Sequence, residues 1–471
     1  MLRTSRLASL LGVGEAANAL SLSTRIPTVL ADLLILSAIP GCFIPVAAEA
    51  EQRRKPFAFL FFLSVFGFSV AVTVMAFLFA EPLLLLFAPS LPPSARISTV
   101  KLLRLSLPTI TISTAIALFT AWRHSQRSFY LPAIASGLSN LTALAVLPLL
   151  SFFNENCRLP AIALTLLFSL LLQVWLLIPK PIPHIQSISL AEGIPPLKKA
   201  LKRFPSVFFA SAFTPLSQAI LFSFAGTVSP DGMAVTDYAM VLFTALCGLL
   251  VAGTVNVSLP CLARLRDTES FPVFASDSLV TALRPALPLS FLLCFLSFET
   301  VTVFYQRGQF SVADTEKVAP VFAVLVLALP FSVLAEALRR LAEADGTPHL
   351  LLFPSFLGLI TMVLASFFFL PLGLMGIALA FLLSRALTAL LLAFRLRRRL
   401  AFHHFFASLP PVLIGSACAV LPVFFFNAWI PSTFPYRVFL FPFVSLFCGM
   451  LMYLPFCRPF RFGRERRNST L

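Results

Sequence analysis

The stretch STRIPTVLADLLILSAIPGCFIPVAAEAEQRRK occupies residues 23–55 and has the length and apolar content of a membrane-spanning helix. It nevertheless carries two charges, Arg25 and Asp32, inside the apolar run, together with three prolines. It ends in three consecutive cations, Arg53, Arg54 and Lys55. Charge within a span is costly and usually faces a cavity, so this stretch predicts a membrane protein with an internal polar site.

The rest of the chain has the same apolar character. Of its 471 residues, 59% are hydrophobic, 11% are charged and 52 are Phe. The mean hydropathy is +0.94. A soluble protein of this length could not bury so much apolar surface. Composition therefore predicts an all-α polytopic membrane protein.

Apolar segments of about 20 residues, long enough to cross a bilayer, recur along the chain. They predict thirteen spans, and residues 1–22 form a short further helix, which gives 13–14 transmembrane helices. The predicted spans are residues 27–49, 57–79, 102–122, 130–153, 159–179, 205–228, 236–262, 279–303, 318–341, 349–370, 372–394, 407–428 and 436–457.

The net charge of +16 suggests either nucleic-acid binding or basic cytoplasmic loops. The basic residues form short runs between spans and do not alternate with aromatic residues, which favours loops and excludes nucleic acid as a partner. If the span 27–49 ends in the cytoplasm, most of the 35 Lys and Arg fall in inner loops. The same map places the basic C-terminal tail in the cytoplasm.

The longest loop divides the chain. Residues 180–204 are Pro-rich and then basic, and they separate two sets of spans, an arrangement typical of transporters built from repeats. We expect an N-lobe at 1–179 (helices 1–6, the first truncated), a basic cytoplasmic linker at 180–204 and a C-lobe at 205–400 (helices 7–12). Residues 401–471 then supply helices 13–14 and the basic tail.

Enzyme motifs are missing from the sequence. It contains no H-E-x-x-H, P-loop or G-x-S-x-G pattern, and its eight cysteines are scattered without a C-x-x-C pair. We therefore expect no catalytic residues, metal site or cofactor. Intramembrane charge is the better indication of function, and Glu336 is a further charged candidate within a span.

Arg25 and Asp32 are seven residues apart, so on a helix they share a face about 10 Å apart along the axis. They could line one aqueous cavity without touching. Alternatively, Pro27 begins the helix, at the position where proline is favoured. Arg25 would then be an interfacial residue and Asp32 a lone polar contact.

The segment TRIPTVLADLLILSAIPGCFIPVAAEAE (24–51) resembles the second helix of the MurJ/MviN family of lipid II flippases, in the multidrug/oligosaccharidyl-lipid/polysaccharide exporter superfamily. The matching positions are Arg25-Ile26-Pro27, Ala38, Phe43-Ile44-Pro45 and Ala48-Glu49. Similar matches recur in order at LLGVGEAANAL (10–20), LLRLSLP (102–108), residues 237–264, FYQRGQFSVADTEK (304–317) and LRRLAEADGTP (338–348). The match at 304–317 is the most specific.

The resemblance implies a flippase of the bacterial cytoplasmic membrane with 14 helices. Two six-helix lobes would enclose a central cationic cavity and rock to expose lipid II, the undecaprenyl-diphosphate-linked muropeptide, inward and then outward. The last two helices would form a groove for the lipid tail, or else be ordinary lipid-facing helices. The partners implied are lipid II, membrane lipids and other cell-wall synthesis proteins.

The resemblance also implies site residues. Arg3, Asn18, Arg25 and Asp32 fall at cavity positions of the family, and structural motif positions are Pro27, Pro45, Arg307, Gly308, Phe310, Asp314 and Pro348. Several family charges are replaced, by Asn18, by Ala31 and Asp32, and by Met240 and Val241, and the sequence begins midway through the first family helix. Two other functions therefore stay open: transport of another lipid-linked sugar or amphipathic solute, and a degenerate paralogue that does not transport.

Overall fold

The computed structural model describes residues 2–36, 38–50, 53–89, 91–126, 128, 130–178, 190–251, 254, 268–345, 347–429 and 437–453. Within these ranges all regular structure is helical. The helices are α1 (Leu2–Leu11), α2 (Glu15–Ala31), α3 (Ile39–Glu49), α4 (Arg54–Leu78), α5 (Ala80–Phe87), α6 (Pro93–Ser106), α7 (Thr109–Ser125), α8 (Tyr130–Val146), α9 (Glu155–Leu177), α10 (Leu190–Val228), α11 (Gly232–Leu250), α12 (Phe271–Phe295), α13 (Ser297–Tyr305), α14 (Val312–Leu327), α15 (Leu329–Asp345), α16 (Leu352–Phe368), α17 (Gly373–Arg395), α18 (Phe402–Cys418), α19 (Leu421–Trp429) and α20 (Arg437–Tyr453).

The membrane spans follow the predicted order. Among the described residues, ten helices are long and apolar enough to cross a membrane, and two bent pairs raise the number to twelve. A shorter apolar helix, Phe441–Tyr453, follows them. These segments correspond in order to the thirteen predicted spans, and α1 is the short further helix. The predicted all-α polytopic fold is therefore confirmed. Helices suit a membrane because they satisfy their own backbone hydrogen bonds in lipid.

Several boundaries differ from the prediction. The span predicted at 27–49 begins at Glu15, and the span predicted at 205–228 lies in α10, which begins at Leu190. Residues 190–204 of the predicted linker are thus helical, and residues 180–189 lie outside the described residues. Also outside the described residues are 255–262, from the span predicted at 236–262, and the tail after residue 453.

Pro27 does not begin a helix. It lies buried in the interior of α2, which starts twelve residues earlier at Glu15. The interfacial-anchor explanation of Arg25 therefore loses its premise that Pro27 starts the helix, and Arg25 lies within the apolar helical segment Glu15–Ile44. Below it, a π-helical turn at Asp32–Leu36 interrupts the helix before Pro40. A proline has no N–H to give to the carbonyl four residues earlier, so Pro40 cannot supply the regular helical bond to Leu36 at the end of this turn.

Contacts between distant segments group the loops into two ends. At the end predicted to face the cytoplasm, Glu49 pairs with Lys199 and with Arg203, whose Nη2 lies 3.4 Å from Oε1. At the same predicted end, Arg399 Nε lies 3.2 Å from Oδ2 of the buried Asp345.

The other end also joins distant segments. There the N–H of Gln309 donates to the carbonyl of Ser9 at 2.9 Å, and the hydroxyl of Ser223 donates to the carbonyl of Leu86 at 2.7 Å. Each of these contacts joins two segments that the topology map assigns to one side. Which side is cytoplasmic remains a prediction.

Candidate substrate cavity

A cavity of about 210 Å³ lies between α1, α2, α9 and α11. Its wall contains two cations, one carboxylate, several hydroxyl groups and apolar side chains. The lining residues are Arg3, Thr4, Leu7, Ala17, Leu20, Ser21, Thr24, Arg25, Thr28, Leu166, Asp237, Tyr238 and Val241.

The polar face of α2 follows from helical spacing. Ser21, Thr24, Arg25 and Thr28 recur every three or four residues, so they project on one side of the helix. The hydroxyls of Thr24 and Thr28 donate to the carbonyls of the residues four positions earlier, at 2.9 and 2.8 Å. These hydroxyls are satisfied within their own helix, so the guanidinium of Arg25 is the group on this face that can hold an anion.

Arg25 forms an ion pair across the cavity. Its Nε donates to Oδ1 of Asp237 on α11, and the two side chains are 28% and 13% exposed. The guanidinium carbon also lies 5.6 Å from the ring centroid of Phe222, in cation–π geometry. The pair therefore connects α2 to α11 within a partly dry site, where an unpaired charge of either sign would be costly.

Arg3 supplies a second cation from α1. It lines the same cavity and lies close enough to Arg25 and Asp237 to interact with both charges. With two arginines and one carboxylate in its lining, the cavity keeps an excess of positive charge. Such a site favours an anionic ligand.

The other two predicted cavity residues lie elsewhere. Asn18 is buried behind the wall, where its Oδ1 accepts from the backbone N–H of Ala234 at 3.2 Å. Asp32 is not among the lining residues, and the last α2 residue that lines the cavity is Thr28. Asp32 begins the π-helical turn, half-buried, and pairs with no cation of the described residues.

The motif at 304–317 packs against α1 at one end of the cavity. Tyr238, Tyr305 and Phe310 form an aromatic cluster with ring centroids 5.2–5.7 Å apart. The Tyr238 hydroxyl donates to the carbonyl of Gly12 at 3.1 Å, and the Tyr305 hydroxyl donates to the carbonyl of Tyr238 at 3.0 Å. This network fixes the part of α11 that carries Asp237.

Further motif residues shape the same loop. Gly308 has φ +61°, and a Cβ there would lie 2.3 Å from the Ser9 carbonyl oxygen, so only glycine fits. Asp314 and Ser311 form a reciprocal capping box that starts α14. The exposed Arg307 donates to the carbonyl of Val303 at 2.9 Å.

The remaining motif positions are Pro45 and Pro348, and the further charged candidate, Glu336, lies outside the cavity lining. Pro45 lies in α3 and Pro348 begins the short 3₁₀ turn Pro348–Leu351, but the side chains of both are outside the described residues. Glu336 pairs with two arginines of its own helix. Its Oε1 lies 2.5 Å from Arg339 Nη2 and 3.0 Å from Arg340 Nε.

Sequence reasoning missed Asp237. It is an ionisable residue inside a predicted span, which is a usable signal, and it directly precedes the Tyr238 of a motif match. Its partner could not be read from the sequence, because Arg25 lies 212 positions away.

A bundle of membrane-crossing helices around a partly buried, net-cationic cavity is the architecture of a membrane transporter. Comparisons with known proteins narrow this class. A family model described as lipid II flippase MurJ matches residues 7–440. The chain belongs to the lipid II flippase MurJ family, which confirms the resemblance drawn from its motifs.

Relatives and solved structures agree with this placement. A probable lipid II flippase MurJ of Aquifex aeolicus (strain VF5) is 25% identical over 345 residues, covering 72% of this chain and 67% of that protein. Another, of Synechocystis sp. (strain ATCC 27184 / PCC 6803 / Kazusa), is 25% identical over 367 residues, with 74% and 68% covered.

Two solved structures share the fold. A lipid II flippase MurJ in an inward closed conformation superposes with a TM-score of 0.79 at 20% identity, over 96% of this chain and 94% of that chain. An inward-facing multidrug resistance MATE family transporter of the MOP superfamily superposes with a TM-score of 0.64 at 14% identity, over 84% of this chain and 98% of that chain. At these identities the likeness concerns the fold alone. The family is one of transporters rather than enzymes.

Proposed function

We propose that this protein moves lipid II across the bacterial cytoplasmic membrane by alternating access. The observation that carries the proposal is the cavity of α1, α2 and α11, where Arg3 and Arg25 give a net positive wall inside a transporter fold. A diphosphate needs desolvated cations, and the planar fork of arginine suits phosphate oxygens. The polyprenyl chain needs no such site, because it can stay in the lipid.

A second cavity supports a place for the lipid tail. It has a volume of about 260 Å³ and lies between the last helix and the helices α11, α12, α13 and α14. Its lining is almost wholly apolar and includes Leu246, Leu293, Phe304, Phe443 and Leu446. An isoprenoid chain fits this chemistry, so we assign the tail to the groove covered by α20.

The experiment is transport by the purified protein in lipid vesicles. Labelled lipid II in the outer leaflet is followed by quenching, with vesicles lacking protein as the reference. We expect protein-dependent flipping, and complementation of a flippase-depleted cell as the matching result in vivo. Failure of both, with the protein present in the membrane, would refute lipid II as the substrate.

One observation favours a second candidate substrate. Val241 lines the cavity at the position where the family pattern has an arginine, which lowers the charge available to a headgroup. A lipid-linked sugar with a single phosphate would need fewer cations than a diphosphate does. Flipping of a monophosphate-linked glycolipid, without flipping of lipid II in the same vesicles, would select this candidate. A protein that flips neither lipid would be the degenerate paralogue.

Two assignments complete the proposal. The C-terminal tail, rich in arginine, lies in the cytoplasm, in keeping with the charge distribution of the loops. Other cell-wall synthesis proteins are partners that the family's role suggests. Co-purification of such enzymes with the tagged protein from native membranes is the test of that association.

A further inference from the structure

We propose that Asp237 is a tethered competitor for the anionic headgroup. In this assignment its carboxylate holds Arg25 while the cavity is empty and leaves when a phosphate binds. The inference rests on the proposed function, in that the ligand is a phosphate-bearing lipid. It identifies a residue that sets the affinity of the cavity for that lipid.

The first step concerns the edge of the Arg25 guanidinium group that Asp237 occupies. Nε and one Nη of a guanidinium form the edge that binds the two oxygens of a carboxylate or phosphate side by side. Asp237 Oδ1 accepts from Nε, so it sits on this edge. One face of the guanidinium lies against the Phe222 ring, at 5.6 Å. A phosphate that uses the same edge must take the place of the carboxylate.

The second step is the charge of the cavity. Asp237 is the one carboxylate in the lining that the structure describes, and the cations are Arg3 and Arg25. An incoming phosphate therefore meets one arginine that already has a counter-ion. Binding is an exchange of one charge-assisted bond for another, so its net free energy is smaller than that of adding a phosphate to an unpaired arginine. Such moderate affinity allows a carried lipid to be released.

The third step is the position of the pair between helices. Asp237 lies on α11 between Ala234 and Tyr238. The N–H of Ala234 donates to Asn18 Oδ1, and the hydroxyl of Tyr238 donates to the carbonyl of Gly12. These neighbouring bonds are neutral, whereas the Asp237–Arg25 link is ionic. Displacement of Asp237 by a phosphate removes the ionic link between α2 and α11. Headgroup binding is thus coupled to the packing of these two helices.

The experiment compares lipid binding by purified variants in nanodiscs, with dansyl-labelled lipid II as the probe. Asp237→Asn keeps the shape of the side chain and removes its charge. We expect this variant to bind lipid II about tenfold more tightly than wild type, the size of one charge-assisted bond. Asp231→Asn is the matched control, because Asp231 pairs with Lys317 outside the cavity at 2.6 Å. It should leave the affinity unchanged.

A double-mutant cycle separates competition from a structural role. In an Arg25→Ala background, Asp237→Asn should raise the affinity by much less than tenfold, because the contested guanidinium is gone and only the charge repulsion between the carboxylate and a phosphate is relieved. If Asp237→Asn only lowers thermal stability, with equal or weaker binding, the inference is overturned. If the Asn variant does not accumulate, Asp237→Ser carries the same test with the same expected gain.

The outcomes also distinguish this inference from the proposed function. Equal binding by wild type and Asp237→Asn would overturn the competitor role and leave lipid II as the ligand. Binding by neither protein would overturn both. Binding by Asp237→Asn alone would support the competitor role and show that the carboxylate prevents binding in wild type.

Discussion

The backbone N–H of Gln309 donates to the carbonyl of Ser9 at 2.9 Å, so the loop before α14 is bonded directly to α1. The approach is close because glycines lie on both sides of it. A Cβ at Gly12 would lie 2.7 Å from the Gln309 carbonyl oxygen, and a Cβ at Gly308 would lie 2.3 Å from that of Ser9. The contact is therefore made by backbone on both partners.

Gly308→Ala should destabilise the protein. The left-handed conformation costs a non-glycine residue ~1–2 kcal/mol, and the clash with a backbone oxygen adds to that cost. Thermal unfolding of the purified protein in detergent is the measurement. Gly67→Ala is the control, since a Cβ there meets nothing within 4 Å. Equal melting temperatures for the two variants would show that the close approach to Ser9 is not maintained.

Substitutions of Arg25 should impair transport. Arg25→Lys keeps the charge but loses the planar fork, so we expect partial activity. Arg25→Ala should lose most flipping, because a charge-assisted contact to phosphate is worth ~1.5–3 kcal/mol, or roughly ten- to hundredfold in binding. The measurement is flipping of labelled lipid II in vesicles, normalised to protein amount.

Arg25→Ala also leaves the carboxylate of Asp237 without its partner. The double variant Arg25→Ala with Asp237→Asn removes this cost and serves as the control for stability. It should accumulate as well as wild type and still fail to flip lipid II. Full activity in either variant would remove Arg25 from the substrate site.

Asp32→Asn should leave flipping intact or increase it. Asp32 lies seven residues after Arg25 in the same span, outside the cavity lining, and its negative charge opposes the passage of a diphosphate. The same vesicle assay gives the answer, with Glu15→Gln, at the start of α2, as an acid-to-amide control. Loss of activity in Asp32→Asn alone would instead indicate a carboxylate that couples transport to an ion.

The topology predicts that Lys198 faces the cytoplasm. It is exposed on the first half of α10, next to the Lys199 that pairs with Glu49. A single cysteine at position 198, in a Cys-less background, should resist a membrane-impermeant thiol reagent in intact cells and react after the cells are opened. A cysteine at the exposed Gln309 should react in intact cells. Labelling of position 198 from outside would invert or break the map.

The last helix should lie beside the lipid tail. A photo-crosslinkable prenyl lipid is expected to label the segment Phe441–Tyr453 above the level of other lipid-exposed helices, because that helix covers the apolar cavity. The exposed phenylalanines of α4, such as Phe66 and Phe68, provide the reference surface. Equal labelling of both surfaces would make the last helix an ordinary lipid-facing one.

Hydropathy located the spans but not their starts. The span predicted from residue 27 begins at Glu15 in the structure. Ser23 and Thr24 look polar in sequence, which favours a later start, but their hydroxyls donate to the Leu20 carbonyl at 2.8 and 2.9 Å. A hydroxyl satisfied in this way carries little cost in a membrane helix. The sequence predicts that the basic segment at 190–204 belongs to a linker for a related reason, since charged residues and Pro195–Pro196 are typical of a loop. In the structure α10 begins at Leu190 and contains both prolines.

The site could be predicted only in part. An arginine inside an apolar run is visible in sequence, and so is its likeness to a family motif. The counter-ion of Arg25 depends on how α11 packs against α2, and local pattern does not encode that contact. Asn18 illustrates the same limit, because its matching position indicated a cavity residue and its amide instead joins two helices.

At one end of the bundle the contact between segments is made by exposed charges, those of Glu49, Lys199 and Arg203. At the other end, segments meet through backbone atoms around Ser9, Gly12 and Gly308. Dissolved salt screens exposed charges over about 8 Å at physiological ionic strength and has little effect on hydrogen bonds between neutral backbone groups. The two ends therefore respond differently to their surroundings. Ionic strength on one side of the membrane can adjust how firmly that side is held. On the opposite side salt acts on the Asp231–Lys317 ion pair but not on the close backbone approach around Gly12 and Gly308.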